Sequence, residues 1–411
     1  MNEKIIIILI ALIGGLYNIA LNIFRSKSAS NPIPENVRDV YDEETYTKWR
    51  SYKGEHSRLD YISASVSIVL TIAIFVFNLH SAFASLFPAG LFWQTASVIL
   101  LESLISEIVG TIFGYYSTMV IEEKYGFNKS TVKTFVIDRI RNLIISLLLG
   151  LFLAFTILGL HKWLGDYIII LFTVVMFLFS LLMSFLYPYL SRIGNKFTSL
   201  EEGELREKLM ELLTRHGYKV RDIKVMDASR RTTKLNAYFT GFGSTKTIVL
   251  YDNLVNAMTT DEICAVFAHE LGHGLNKDVQ KMQIMNIGNL LLTAVAVWIS
   301  VRTLALHTAF GFAELNYGFA FVLTGYLISL IQPLTSLAIN AYSRKAEYRA
   351  DAQAVKEGYG EDIVQGLKTL AKENFAELAP TRISVLLEYS HPPLSDRISA
   401  VEKLLSSKKG E

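Results

Sequence analysis

Apolar residues gather along this chain into seven runs, each long enough to cross the roughly 30 Å core of a bilayer, which takes about 20 residues of helix. They lie at Ile5–Phe24, Tyr61–Phe87, Leu91–Ile121, Asn142–Trp163, Tyr167–Leu190, Met282–Val301 and Leu315–Tyr342. The first run is long for the apolar region of a signal peptide and lacks a convincing small-residue cleavage site, so it reads as a span. Between the fifth and sixth runs, and after the seventh, the pattern becomes that of water-facing structure. "LEEGELREKLMELLTRHG" alternates apolar and charged residues at helical spacing and stops at Gly217, which predicts an amphipathic surface helix. The stretches "DIKVMD", "LNAYFTGF" and "KTIVLYDNL" have strand character and together predict a small sheet. The chain thus divides into spans one to five (1–190), a soluble segment (191–281), spans six and seven (282–343) and a second soluble segment (344–411).

Composition sharpens this picture. Of the 411 residues, 51% are hydrophobic and only 19% charged, which favours a membrane protein over a soluble one of this length. A net charge of +2 argues against nucleic acid as a partner. With Cys264 as the only cysteine there is no disulfide framework and no cysteine-rich metal cluster, so any metal must be held by histidines and carboxylates. Basic residues crowd the links after the first span (Arg25, Lys27, Arg38, Lys48, Arg50, Lys53, Arg58) and the third (Lys124, Lys129, Lys133, Arg139, Arg141). The links after spans two, four and six carry almost none. By the positive-inside rule the N-terminus lies outside, and both soluble segments and the C-terminus lie in the cytosol.

"TTDEICAVFAHELGHGLNKD" places Ile263, Val266, Phe267 and Leu271 at helical spacing behind a Thr260 start with acids close after it. On that helix His269 and His273 stand one turn apart on one face, where both imidazoles can reach a single tetrahedral ion about 2 Å away. Glu270, turned by about 100° from His269, stands beside the ion, where a base for the attacking water belongs. Gly272 inside the helix costs about 1 kcal/mol relative to alanine; it is either merely tolerated or needed for the close approach of another backbone. A catalytic zinc needs a third protein ligand. "AYSRKAEYRADAQAV" offers Glu347 for this, with Asp351 one turn further on to accept an N–H from a ligand histidine. Spacing alone equally allows a solvated face in which Arg344, Lys345 and Arg349 pair with these acids. Topology tips the balance towards the ligand, because two spans separate His273 from Glu347 and return the chain to the same side.

Polar residues inside the spans add a further expectation. Glu102 and Glu107 in span three, and Gln283, Asn286, Asn289, Gln332 and Asn340 in or beside the last two, should face water or one another rather than lipid. Either a hollow polar interior or tight pairing in a solid bundle would satisfy the acids. Pro333 predicts a kink in span seven.

The chain resembles the integral-membrane type I CAAX prenyl endopeptidases, zinc proteases of the gluzincin kind. The resemblance rests on "YGFNKST" (125–131), "NAYFTGFG" (236–243), "TIVLYDNL" (247–254), "HELGH" (269–273), "NAYSRKAEYRAD" (340–351) and "SHPPLSDRI" (390–398). It implies a mainly α polytopic membrane protein whose seven transmembrane helices form a hollow barrel around a water-filled chamber, with a small cytosolic α+β zincin-like domain. It implies one zinc ion held by His269, His273 and Glu347, Glu270 as catalytic base and Asp351 behind the ligands. It also marks Asn340 near the site, and His391 and Arg397 as residues that stabilise the tetrahedral oxyanion or hold the site together. Asn236, Ala237 and Tyr238 begin a strand, running to Gly241, whose edge would receive the substrate backbone as an added strand.

In eukaryotic relatives the substrate is a C-terminal peptide with a prenylated cysteine, processed in the endoplasmic reticulum or inner nuclear membrane. In a prokaryote the expected role is general quality-control proteolysis in the cytoplasmic membrane. The bilayer and a peptide are the expected partners; no obligate protein partner is evident. A transporter with an incidental zinc site would account for the spans but not for a zinc motif joined by topology to Glu347. An intramembrane protease of the site-2 type would bury its motif within a span, whereas Asp261, Glu262, Lys277, Asp278 and Lys281 flank this one.

Overall fold

A computed structural model of the chain describes residues 2–190, 195–217, 222–240 and 247–409. The first half is helical: α1 (Asn2–Lys27), α2 (Glu43–Val76), the short α3 (Leu79–Ala84), α4 (Leu91–Tyr115) extended by a π-helix (Tyr116–Glu122), α5 (Val132–Leu164) and α6 (Ile168–Leu190). The second half runs β1 (Phe197–Ser199), α7 (Glu204–Arg215), β2 (Asp222–Met226), β3 (Ala237–Thr240), β4 (Thr247–Tyr251), α8 (Asp252–Ala257), α9 (Thr260–Leu275), α10 (Asp278–Arg302), α11 (Leu304–Thr308), α12 (Tyr317–Lys356), α13 (Gly360–Glu373), α14 (Arg382–Glu388) and α15 (Leu394–Lys409).

Among the described residues six segments are long and apolar enough to cross a membrane. The fourth, Val132–Leu186, has 55 residues and is broken by a 3-10 turn at Gly165–Tyr167, where Gly165 takes φ +53°. Helices α5 and α6 result, so seven helices of crossing length stand among the described residues, at the positions of the seven apolar runs. Side chains such as Ile108, Ile112 and Leu148 are exposed on them, as a lipid-facing surface requires.

Several helices outrun their apolar stretch. Helix α2 starts at Glu43, capped by Asp42, which accepts from Thr45 N, and its polar first turns pack onto the soluble part, where Trp49 Nε1 donates to Phe375 O at 3.1 Å. Helix α12 continues for 40 residues, about 60 Å, through Pro333 and past residue 343 into the soluble domain. The helix therefore joins the last span to the segment after it without a break.

The sheet has order β1-β2-β4-β3, with β2 parallel to β4 and β3 antiparallel to it. Three of its strands fall on the stretches that the sequence pattern marks, although Gly241, Phe242 and Lys246 at the ends of two of those stretches lie outside the described residues. Strand β1, three residues long, is too short to show an alternating pattern. Among the described residues strand β3 pairs with β4 and forms one edge of the sheet. The sheet packs on α7 and α9 through Leu209, Leu213, Ile223, Ile248, Leu250, Ile263 and Phe267. A second core unites α9, α12, α13 and α15 with Val37, Val40, Tyr41 and Trp49. The basic link after span one is thus structural as well as charged.

The spans enclose a hollow. A cavity of about 1320 Å³ lies among α1, α2, α4, α10 and α12 and reaches Asn340, Leu387 and Glu388. The two acids of span three part company here. Glu102 lines the cavity, whereas Glu107 Oε1 accepts from Arg139 Nε at 2.7 Å and Thr111 Oγ1 at 2.8 Å.

Candidate metal centre

Helix α9 begins with a capping box: Thr259 Oγ1 accepts from Glu262 N, and Glu262 Oε2 accepts from Thr259 N. This fixes the helix start, and the 3.6-residue repeat then sets His269 and His273 on one face with ring centroids 4.8 Å apart. Glu347, on α12, meets them. Its carboxylate lies 3.5 Å from His269 Nε2 and 3.3 Å from His273 Nε2. One ligand atom from each of the three residues falls within 4.8 Å of the others.

Gly272 explains how α12 comes so close. A Cβ there would stand 2.8 Å from Ala350 Cα and 3.0 Å from Gln353 Cβ. The missing side chain lets the two helix backbones touch, which decides between the two readings of this glycine in favour of close approach.

Each imidazole is held from behind by its own carboxylate. His269 Nδ1 donates to Asp351 Oδ1 at 2.8 Å, and His273 Nδ1 to Asp278 Oδ2 at 3.0 Å. With Nδ1 bearing a proton, both Nε2 atoms face Glu347, and they are the atoms that could coordinate an ion once freed of a proton. Arg397, from α15, binds Asp351 through Nε (2.8 Å) and Nη2 (2.6 Å), and its Nη1 lies 3.3 Å from Glu347 Oε2. Burial lowers the affinity of the Arg397 guanidinium for its proton, but Asp351 and Glu347 reverse this and keep it firmly charged. Burial likewise opposes charge on His273, and Glu347 and Asp278 outweigh it, raising the imidazole to about 9. A metal ion entering the site would displace that proton.

The donor set fits a zinc ion. Two imidazole nitrogens and one carboxylate are the ligands of many catalytic zinc sites, which keep a fourth position open. Glu347 is 3% exposed, and its Oε2 makes no hydrogen bond although Arg397 Nη1 lies 3.3 Å away; a bound ion would give this buried oxygen the direct partner it lacks.

Around this group the other expected residues divide. Glu270 and the edge-strand residues Ala237 and Tyr238 line one small cavity. Asn236 starts the strand, its carbonyl accepting from Tyr251 N at 3.1 Å and its side chain from Ala237 N at 2.9 Å. His391 is exposed, with Nε2 3.3 Å from Glu347 Oε1 and Nδ1 2.9 Å from Ser390 Oγ. Asn340 is the exception. It lies two turns before Glu347 on α12, donates to Leu387 O at 3.3 Å and lines the membrane cavity. Seven residues of helix, about 10 Å, separate it from Glu347 along α12.

The basic residues near Glu347 are also employed elsewhere. Arg344 donates to Val385 O (2.9 Å) and Tyr389 O (2.6 Å), fixing the segment that carries His391. Arg349 Nη2 and Tyr342 Oη both donate to Asp278 Oδ1 at 2.8 Å. Asp278 is the important residue that sequence patterning missed as a partner of His273, although it belongs to the charged flank of the motif. Lys277, in the left-handed region at φ +54°, turns the chain between α9 and α10 so sharply that this acid folds back onto His273.

Known proteins resemble this chain in sequence and fold. Residues 22–192 match the family described as CAAX prenyl protease N-terminal, five membrane helices, and residues 199–405 match Peptidase family M48. The chain is 32% identical to CAAX prenyl protease 1 homolog of Arabidopsis thaliana, covering 90% of each protein. It is 30% identical to CAAX prenyl protease 1 of Saccharomyces cerevisiae over 93% of this chain and 91% of the relative. The crystal structure of S. mikatae Ste24p superposes with a TM-score of 0.91 at 28% identity, covering 98% of this chain and 99% of that one.

Proposed function

The chain belongs to peptidase family M48, as an integral-membrane metalloendopeptidase with the CAAX prenyl protease N-terminal helices, and we propose that it uses zinc to release the C-terminal tripeptide that follows a prenylated cysteine. The convergence of His269, His273 and Glu347 beside Glu270, at the free edge of β3 and near a membrane cavity, carries this reading. His269, His273 and Glu347 would hold the zinc ion, which when bound supplies Lewis acidity to the scissile carbonyl and the attacking water. Asp351 and Asp278 orient the two imidazoles, and Arg397 holds Asp351 in place.

A substrate backbone adds as a strand to β3, so that main-chain hydrogen bonds set its register. Glu270, on the strand side of α9, takes the proton of the attacking water and returns it to the leaving amine. His391, exposed beside Glu347, donates to the oxyanion. The prenyl chain lies against apolar lining such as Ile68, Phe321 and Leu387 in a cavity of about 1320 Å³, roomier than the ~300–1,000 Å³ typical of small-molecule sites. The distribution of Lys and Arg supports a cytosolic active site.

Purified protein is expected to hold about one zinc ion per chain and to lose cleavage of a farnesylated C-terminal peptide on chelation. Glu270→Gln should keep the metal while cleavage falls on the order of 10²–10⁴-fold. Wild-type rates from that variant would remove Glu270 from the mechanism. Equal cleavage of the matched peptide without its lipid would remove the prenyl requirement.

A further inference from the structure

The end of the cavity away from the metal centre holds an acid that proteolysis does not use. Glu102 of α4 lines the large cavity and also an adjoining one of about 310 Å³, together with Ser67, Thr71 and Tyr326. His80 of α3 lines the smaller space, is 1% exposed, and sets its Nε2 against Glu102 Oε1. Its Nδ1 is buried without a hydrogen-bond partner. The ring therefore holds the carboxylate in place through Nε2 from one side.

The other charged residues lining these two spaces are Arg25 and Glu388, and they bind each other, Arg25 Nε donating to Glu388 Oε2 at 2.8 Å. Among the described lining residues Glu102 is therefore the carboxylate that faces the hollow without a Lys or Arg partner. An acid at membrane depth that faces a hollow without a basic partner marks a path used by a substrate or an ion. Resting on the reading that a peptide threads into the cavity, we infer that Glu102, oriented by His80, is a subsite for the ammonium or guanidinium group of a basic substrate side chain. The space of about 310 Å³ takes such a side chain, and Ser67, Thr71 and Tyr326 supply hydroxyls around its head.

The subsite has a fixed reach. Tyr326 lines both spaces with Glu102 and stands on the helix that carries Glu347, about 30 Å further along at 1.5 Å per residue. An extended peptide covers that span in about nine or ten residues. The subsite thus selects a lysine or arginine at that distance from the scissile bond, on one side of it.

Equilibrium binding tests this directly, on full-length protein in detergent, with one lysine moved along an otherwise uncharged peptide and norleucine as the matched neutral residue. Lysine about nine or ten residues from the scissile bond should bind about tenfold more tightly than norleucine, and Glu102→Gln should erase the difference. Equal affinities for the two peptides in the wild type would overturn the subsite, as would a lysine preference that survives in Glu102→Gln. The comparison between peptides needs no variant, so it stands even if the substitution impairs folding. Cleavage of the norleucine peptide by the wild type tests proteolysis separately: loss of all cleavage with the lysine preference intact would sink the protease reading and leave the subsite.

Discussion

Gly272 and Gly325 lie inside long helices in two differently built regions. A Cβ on Gly272 would press on the backbone of α12 at 2.8 Å, while one on Gly325 would meet nothing within 4 Å. Around Gly272 the side chains of Ala346, Glu347, Ala350 and Asp351 are buried against α9. Around Gly325 the same α12 borders the membrane cavity. On the proposed assignment one helix serves two purposes: its C-terminal part is clamped where ligand atoms would have to be placed to a fraction of an ångström, and its middle faces the space a substrate would need. Positioning chemistry calls for tight packing, and admitting substrate calls for its absence.

Alanine at each glycine would break or sharpen this contrast. Gly272→Ala has the largest expected effect. Forcing α9 from α12 should cost about 1–3 kcal/mol of stability, and because it separates His269 and His273 from Glu347, zinc content and cleavage should fall together. A variant with full zinc content would show that the helices can part without disturbing the ligands. Asp278→Asn comes next. It keeps the volume but weakens the orientation of His273, so zinc affinity measured by chelator competition should drop about 10–100-fold, and the melting temperature should fall as well because Arg349 loses its carboxylate partner. Gly325→Ala is the smallest: removing a helical glycine where space is free should change stability by no more than about 1 kcal/mol, in the stabilising direction. A large loss there would mean that the cavity wall is packed as tightly as the catalytic junction.

The same contrast separates what the sequence revealed from what it concealed. Local periodicity exposed the spans, the helix bearing His269 and His273, and the strand at Ala237, because each is a repeat along one stretch of chain. Glu347 was reachable through topology, since two crossings return it to the side of the histidines. Asp278 was not singled out for His273, because that bond depends on a left-handed turn at Lys277 that no pattern of apolar residues encodes. Asn340, which the resemblance marks near the site, donates to Leu387 O, a partner that no pattern along the chain points to. Arg344, Lys345 and Arg349 offered themselves as partners of Glu347 and Asp351, but Arg397 from α15 holds that place. Long-range pairings among charged residues have many candidates of equal spacing, and tertiary packing selects one.

Because Glu347 rides on α12, the last span to be made, the metal centre has a birth order. A ribosome releases His269 and His273 first, then both remaining crossings, then Glu347, and Arg397 later still. On the ligand assignment proposed above, a nascent chain stalled or mis-inserted at any earlier point carries two imidazoles without their carboxylate. Successful integration of the whole polypeptide thereby becomes the condition for enzymatic competence, and unfinished copies remain harmless to their surroundings.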